Sequence, residues 1–168
     1  MAKEMKDFDW TSFTKRIAVK AKLTDIYDAW TQSGNVEKWF LENAEFYSSK
    51  KGLLAPDEAV NKDCSYKWFW YLFPDPMHGF IKEANGKNFI QFTFEGECIV
   101  DVSLTEKNGY TIIELTQRNI PTDDNSKKHV RLGCSNGWAF YLTNLKSVYE
   151  GGIDLRNKDE NLTVMINN

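Results

Sequence analysis

The sequence predicts an α+β fold: a long C-terminal helix packed across an antiparallel sheet of six to seven strands, with two short helices after the first strand. Three observations carry that reading. Short stretches between Phe13 and Arg118 alternate apolar and polar residues with the period of two of a half-buried strand. The turn dipeptides Asn85-Gly86 and Asn108-Gly109 join consecutive stretches too closely for anything but antiparallel hairpins. The stretch from about Lys127 to Glu150 instead repeats its apolar residues at i, i+3, i+4 and i+7, which is one face of a helix.

The first strand runs from Phe13 to Lys20, with Phe13, Lys15, Ile17 and Val19 on one side. Thr24 is placed to cap the helix that follows, and Asp25 and Asp28 suit its positive end. Ile26, Ala29 and Trp30 share a helical face; Ser33-Gly34-Asn35 ends the helix, and a second short turn, Val36 to Phe40, carries Trp39-Phe40. Ala44 to Ser48 reads as a second strand, and Lys50 to Asp63, with Gly52 and Pro56, as a long loop. Tyr66 to Phe73 is aromatic on both faces, Trp68 and Trp70 against Phe69 and Tyr71, so it predicts a strand covered on both sides. The alternation does not choose which face points inward. Pro74-Asp75-Pro76 breaks the stretch. Met77 to Glu83, Phe89 to Phe94, Cys98 to Glu106 and Tyr110 to Arg118 then form a meander.

On the last helix Trp138, Tyr141, Leu142, Leu145, Val148 and Tyr149 share a face, and Gly151-Gly152 ends it. Gly133 and Gly137 weaken its first half by about 1 kcal/mol each relative to Ala; a glycine beside Trp138 is expected to allow close approach to the sheet. The polar segment from Arg156 is expected to fray, leaving an ordered core of about 13–156 within one domain spanning 1–168.

Composition narrows the function classes. The net charge is −3, and Lys and Arg are scattered, which argues against a groove for nucleic-acid phosphates. No window approaches the ~18 apolar residues of a membrane span. Met1 to Asp9 is polar with no apolar run behind it, so the expectation is a cytoplasmic chain without a secretory leader. Cys64, Cys98 and Cys134 are odd in number and widely spaced, which suits packed thiols better than disulfides or zinc ligands. No cofactor or metal is expected. Six Trp, seven Tyr and eleven Phe make up 14% of the chain, a load that suits a large apolar interior or a pocket to line.

Several of these residues together resemble a known family. Ile26-Tyr27-Asp28-Ala29-Trp30, Trp39-Phe40, His78-Gly79-Phe80-Ile81, Gly137-Trp138 with Leu142 and Leu145, and Gly152-Ile153-Asp154-Leu155-Arg156 occur in an order similar to the helix-grip (START-like, SRPBCC) fold. Within it they resemble the group related to the C-terminal domain of the activator of Hsp90 ATPase (Aha1-like). The resemblance covers roughly Phe13 to Arg156. Members often carry a Gly-Gly pair ahead of the third strand, where this chain has Asn61-Lys62-Asp63-Cys64. The resemblance implies a curved sheet wrapped around the last helix and a cavity between them, but no single activity.

Trp68, Trp70, Phe92, Phe94, Trp138 and Leu142 are the expected lining of that cavity, with Trp39 either at its mouth or in the core. Equally, the rings can form a solid core. Gln117, on the inner face of its strand, either orients a ligand or is a buried amide bonded to backbone, and the second is the plainer reading. His78 and His129 are of a type that can act as general bases, but neither is paired with a carboxylate by spacing. Glu95 and Glu97 flank a turn at Gly96 and read as a solvated turn. The leading expectation is therefore binding of a small hydrophobic or aromatic ligand. A protein-interaction domain acting on an Hsp90-type chaperone is the alternative, and a cavity enzyme of unknown reaction the third.

Overall fold

In the computed structural model, which describes residues 7–168, β1 (Phe13–Val19) leads into α1 (Leu23–Thr31) and α2 (Ser33–Val36). The chain then forms β2 (Asn43–Ser48), β3 (Gly52–Leu53), β4 (Ser65–Phe69), β5 (Met77–Ala84), β6 (Phe89–Phe94), β7 (Cys98–Lys107) and β8 (Tyr110–Arg118). It ends in α3 (Asp124–Ser126), a π-helical stretch (Lys127–Leu132) and α4 (Gly133–Tyr149), which follow one another without a break. The strands pair antiparallel in one sheet of order β1-β8-β7-β6-β5-β4-β2-β3. The architecture is the α+β helix-grip arrangement, with eight strands instead of six to seven.

The extra strand is β3, inside the expected loop. It pairs with β2 only through Tyr47–Leu53 and Ser48–Gly52, too short a run for any alternation to show. β4 stops at Phe69, four residues before the expected end, and Trp70 already belongs to the turn that follows. Tyr66 and Trp68 point into the core. α1 starts at Leu23 with Lys22 at its cap position, so Thr24 lies inside the first turn and caps nothing. Ser33-Gly34-Asn35 is not a terminator but the body of α2, and Trp39-Phe40 follow it in a turn. The last helical run begins three residues earlier than expected, because Asp123 accepts hydrogen bonds from the Ser126 N–H at 2.9 Å and hydroxyl at 2.6 Å.

Local chemistry explains the remaining turns. Asn108 and Gly109 both have positive φ, 52° and 79°, which is the two-residue hairpin turn matched to strand twist. At the helix end Gly151 has φ 82°, and the Gly152 N–H reaches back to the Ser147 carbonyl at 2.7 Å, closing a Schellman cap. Gly79 faces Tyr66 across β4–β5. A Cβ there would sit 2.3 Å from the Tyr66 ring, so glycine lets that ring lie across β5 and donate its hydroxyl to the Thr93 carbonyl on β6 at 2.6 Å.

One buried cluster joins sheet and helices: Phe92, Val100, Leu104, Ile113 and Leu115 from the sheet, Ile26 and Trp30 from α1, and Trp138, Leu142 and Leu145 from α4. The segment after α4 does not fray at Arg156. Arg156 is buried, donating to the Leu41 carbonyl at 2.8 Å, the Glu37 carbonyl at 2.9 Å and the Asp154 carboxylate at 2.8 Å. Further on, the Asn157 and Asn167 side-chain amides hold residues 155–168 in a closed loop.

Candidate ligand cleft

The space directly beneath α4 is filled by rings. Trp138 packs on Phe94 at 5.0 Å, Phe40 at 5.0 Å and Trp30 at 5.9 Å between centroids, and Trp68 packs on Phe92 at 5.3 Å. The open volume lies beside this core. It is a cleft of about 500 Å³ between the first half of α4 and the connection from β4 to β5. Phe40, Trp70, Phe94, Trp138 and Tyr141 form its aromatic floor, and Phe73, Pro76 and Met77 form one wall. Glu95 from the β6–β7 turn, Asp75, His129 and Asn168 stand around it.

The opposite wall is made of what is missing. Gly133 and Gly137, one helical turn apart, both face the cleft, with Cys134 between them. A Cβ at Gly137 would meet nothing within 4 Å, and one at Gly133 only a carbonyl at 3.7 Å. The glycines therefore do not serve close packing against the sheet, as their position beside Trp138 suggested. They hold space open. Tyr141 continues the same face one turn further on, its hydroxyl bonded to the Asn168 main chain at 3.0 Å.

Of the expected lining, Trp70, Phe94 and Trp138 border the cleft. Trp39, Trp68, Phe92, Gln117 and Leu142 do not: each is 3% exposed or less and lies within the packed interior. Trp39 is a core residue and not a mouth residue. Its indole donates to the Ala29 carbonyl at 2.8 Å, and its ring stands edge-on to Trp30 and stacks on Phe40. The Gln117 carbonyl is bonded to a side chain instead of backbone: its Oε1 accepts the Trp138 indole N–H at 3.0 Å, fixing the ring that floors the cleft, while its amide nitrogen is left without a partner. Phe40, Tyr141, Phe73, Met77 and the two glycines were missed. The spacing of Gly133, Gly137 and Tyr141 along one helical face was the signal that could have revealed them.

The ionisable groups of the cleft are tuned by burial. Loss of water pushes the Cys134 thiol up to about 12, so it stays protonated at neutral pH and is no ready nucleophile. Burial likewise raises Tyr141 to about 12. Partial burial of the Glu95 carboxyl lifts it above the ordinary range. His129 is exposed on the π-helical stretch; His78 is exposed on β5, away from the cleft lining. No cluster of three or more His, Cys, Asp or Glu suited to a metal ion occurs among the described residues. No helix among them is long and apolar enough to cross a membrane. A second groove, of about 520 Å³ around the β7–β8 hairpin, is lined by Lys20, Lys22, Glu106 and Lys107 and has only the Tyr110 ring.

A curved antiparallel sheet closed on a long C-terminal helix, with a cleft at the helix margin, defines a helix-grip domain. Residues 20–150 match the family described as activator of Hsp90 ATPase homolog 1-like protein, and the chain belongs to that family. Three solved structures show the shared fold. The protein SSP2350 from Staphylococcus saprophyticus is 16% identical with a TM-score of 0.69, over 86% of this chain and 96% of that one. The Aha1 dimer from Colwellia psychrerythraea is 19% identical with a TM-score of 0.64, over 84% and 97%. PFC0360w, an HSP90 activator from Plasmodium falciparum, is 19% identical with a TM-score of 0.57, over 80% and 93%. No curated protein sequence matches the chain.

Proposed function

We propose that the chain binds a small molecule with an apolar body in the cleft between α4 and the β4–β5 connection. The observation that carries this reading is the pairing of an aromatic floor with the bare helical face at Gly133 and Gly137. A helix that only had to pack would gain about 1 kcal/mol from alanine at each position. A Cβ at Gly137 meets open space, so no contact requires glycine there. The cleft's size and apolar character with a few polar groups suit a ligand site.

Gly137→Leu tests the reading. The new side chain projects into the cleft without a clash and raises helix propensity, so the thermal midpoint should hold or rise. Binding of the neutral dye Nile red, followed by its fluorescence, should weaken by about tenfold or more, since each 1.4 kcal/mol of lost apolar contact is a factor of ten. Wild-type affinity in this variant would move any binding elsewhere.

A second reading, action on an Hsp90-type chaperone, is supported by the family and by an exposed apolar run. Val164 and Ile166 are 94% and 95% exposed, beside Leu162 and Met165. Adding the purified chain to an Hsp90-type ATPase should then raise its turnover. An unchanged rate together with no complex on a sizing column would end this reading.

A further inference from the structure

We propose that two copies of this chain pair by each inserting Val164 and Ile166 into the other's cleft, so that a second copy occupies the cleft of the unliganded protein. The inference rests on the cleft of the ligand-binding reading above and adds a competing occupant to it.

The inserted element is a pinned projection. Residues 155–168 form a loop closed at its base. The Asn157 N–H donates to the Asn167 carbonyl at 2.7 Å, and the Asn167 amide to the Leu155 carbonyl at 2.7 Å. The Asn157 amide donates to the Leu162 carbonyl at 2.7 Å and to the Asn168 side chain at 2.8 Å. At the tip Val164 has φ 58°, a left-handed conformation that a β-branched residue resists. Val164 and Ile166 are 94% and 95% exposed, and Leu162 and Met165 are about half exposed. A single exposed apolar side chain needs no explanation, but four on one loop make a patch. A strained, pinned loop that holds its most apolar side chains out in water is shaped for a partner.

Position points to a second copy as that partner. Asn168, at the root of the loop, lines the cleft, and its main-chain oxygen accepts the Tyr141 hydroxyl at 3.0 Å. At ~3.5 Å per residue, Ile166 and Val164 lie within about 7 and 14 Å of that rim. The bonds at the base keep the tip out of its own cleft. Projection and cleft therefore belong to one face, and a single two-fold axis can set each loop opposite the other's cleft. Phe73, on the cleft wall, is 55% exposed and adds to the same face. A stable pair buries ~800 Å² on each partner, and the reciprocal arrangement buries both loop and cleft on each.

Shape and charge agree with this. The bare face at Gly133 and Gly137 leaves about 500 Å³ of space that no side chain of α4 enters. Residues 161–168 carry no charged side chain, so they meet Asp75 and Glu95 at the cleft without a clash of like charges. The groove at the β7–β8 hairpin, lined by three lysines and a single ring, offers an apolar tip little. A lipid surface is disfavoured by Asp159 and Glu160, which precede the tip and repel anionic headgroups.

Sedimentation velocity of the full chain from about 1 to 100 μM tests the pairing. The wild-type protein should show a concentration-dependent dimer. Val164→Ser/Ile166→Ser removes the inserted side chains without touching the core, and should raise the dimer dissociation constant about a hundredfold or more. Gly137→Leu keeps the loop but fills the cleft, and should weaken the dimer to a similar degree. Mixing the two variants should restore a heterodimer through one loop and one cleft, weaker than the wild-type pair. At high protein concentration Nile red should bind the loop variant more tightly than wild type, because no loop competes. A wild-type protein that stays monomeric overturns the pairing; Nile red binding would then keep the ligand-binding reading, and an Hsp90-type complex lost in the loop variant would assign the loop to the chaperone. A dimer that survives either variant, with a folded circular dichroism spectrum, also overturns it. A dimer broken by both variants, with no Nile red bound to the loop variant, supports the pairing and overturns the ligand-binding reading.

Discussion

Trp138 joins the core to the cleft, and its one polar atom decides how firmly it is held. Its indole N–H donates to the Gln117 Oε1 at 3.0 Å in a site where Gln117 is fully buried, while the Gln117 amide nitrogen has no partner of good geometry. Gln117→Leu orphans the indole N–H but also removes an amide nitrogen that has no partner, so it should cost less than the about 1–3 kcal/mol of one newly unsatisfied buried donor. Adding Trp138→Phe should cost less than the two single changes together, because the orphaned N–H goes with the indole. Urea denaturation midpoints of the singles and the double measure this, and strict additivity would show that the bond is not the link. A second residue-scale test is Gly79→Ala: the methyl would sit 2.3 Å from the Tyr66 ring, so the ring must leave its bond to Thr93. Its loss of stability should shrink in a Tyr66→Leu background, where no ring lies across β5. Residue roles of this kind were only partly legible. Alternation placed Gln117, Phe92 and Phe94 on the inner face correctly, but a sequence period cannot distinguish a ring that lines a space from one that fills it. Trp68, expected to line a space, lies in the packed interior, and Trp39 was left open between the two, whereas Gly137 was read as a weakness of the helix because a missing side chain leaves no periodic mark.

At the scale of elements, the end of α4 is fixed by a polar clamp more than by apolar contact. Asn144 donates to the Trp39 carbonyl at 2.8 Å and to Asp154 at 3.0 Å, and accepts from the Leu155 N–H at 2.7 Å. Arg156 ties the same loop to the turn after α2. Burial pushes the Asp154 carboxyl up, but hydrogen bonds from Arg156, Lys158 and Asn144 outweigh it and hold the group well below the usual carboxylate range. A carboxylate lowered in the folded state stabilises the fold above its unfolded pKa and loses that contribution as pH falls toward the folded value. The wild-type protein should thus lose stability as pH falls below about 4, the unfolded carboxylate range. Asp154→Asn should start less stable at pH 7 and decline less steeply, as read from denaturation midpoints across pH; parallel curves would remove Asp154 as the cause. Arg156→Met should cost about 1–3 kcal/mol, because it leaves the Leu41 and Glu37 carbonyls without their donor, while half-buried Asp154 keeps Lys158 and Asn144 as partners. The helix itself was legible from its 3.6 period and its glycine stop. The clamp was not, because Asn144, Asp154 and Arg156 meet through partners more than 100 residues away in sequence, at Glu37, Trp39 and Leu41.

For the whole molecule, the question is whether sheet and helices can separate. Rings from α1, the turn after α2, β4, β6 and α4 touch in an unbroken chain: Trp30 on Trp138, Trp138 on Phe94 and Phe40, Phe40 on Trp68, Trp68 on Phe92. Opening any one element exposes rings of its neighbours, and rings bury roughly 150–250 Å² each, so partial opening loses most of the apolar gain without recovering the full chain entropy. The whole of 7–168 should therefore unfold as one unit. Tryptophan fluorescence, dominated by the ring cluster, and far-ultraviolet circular dichroism, which reports backbone, should give coincident urea transitions. The cleft supplies a further check on the same equilibrium. A ligand that binds only the folded state stabilises it by about 2.7 kcal/mol at a hundred times its dissociation constant. That increment should move both transitions together. A ligand that shifted the fluorescence transition alone would mean that the cleft and its ring floor open separately from the sheet, and the continuous aromatic cluster would not be the source of the fold's cooperativity.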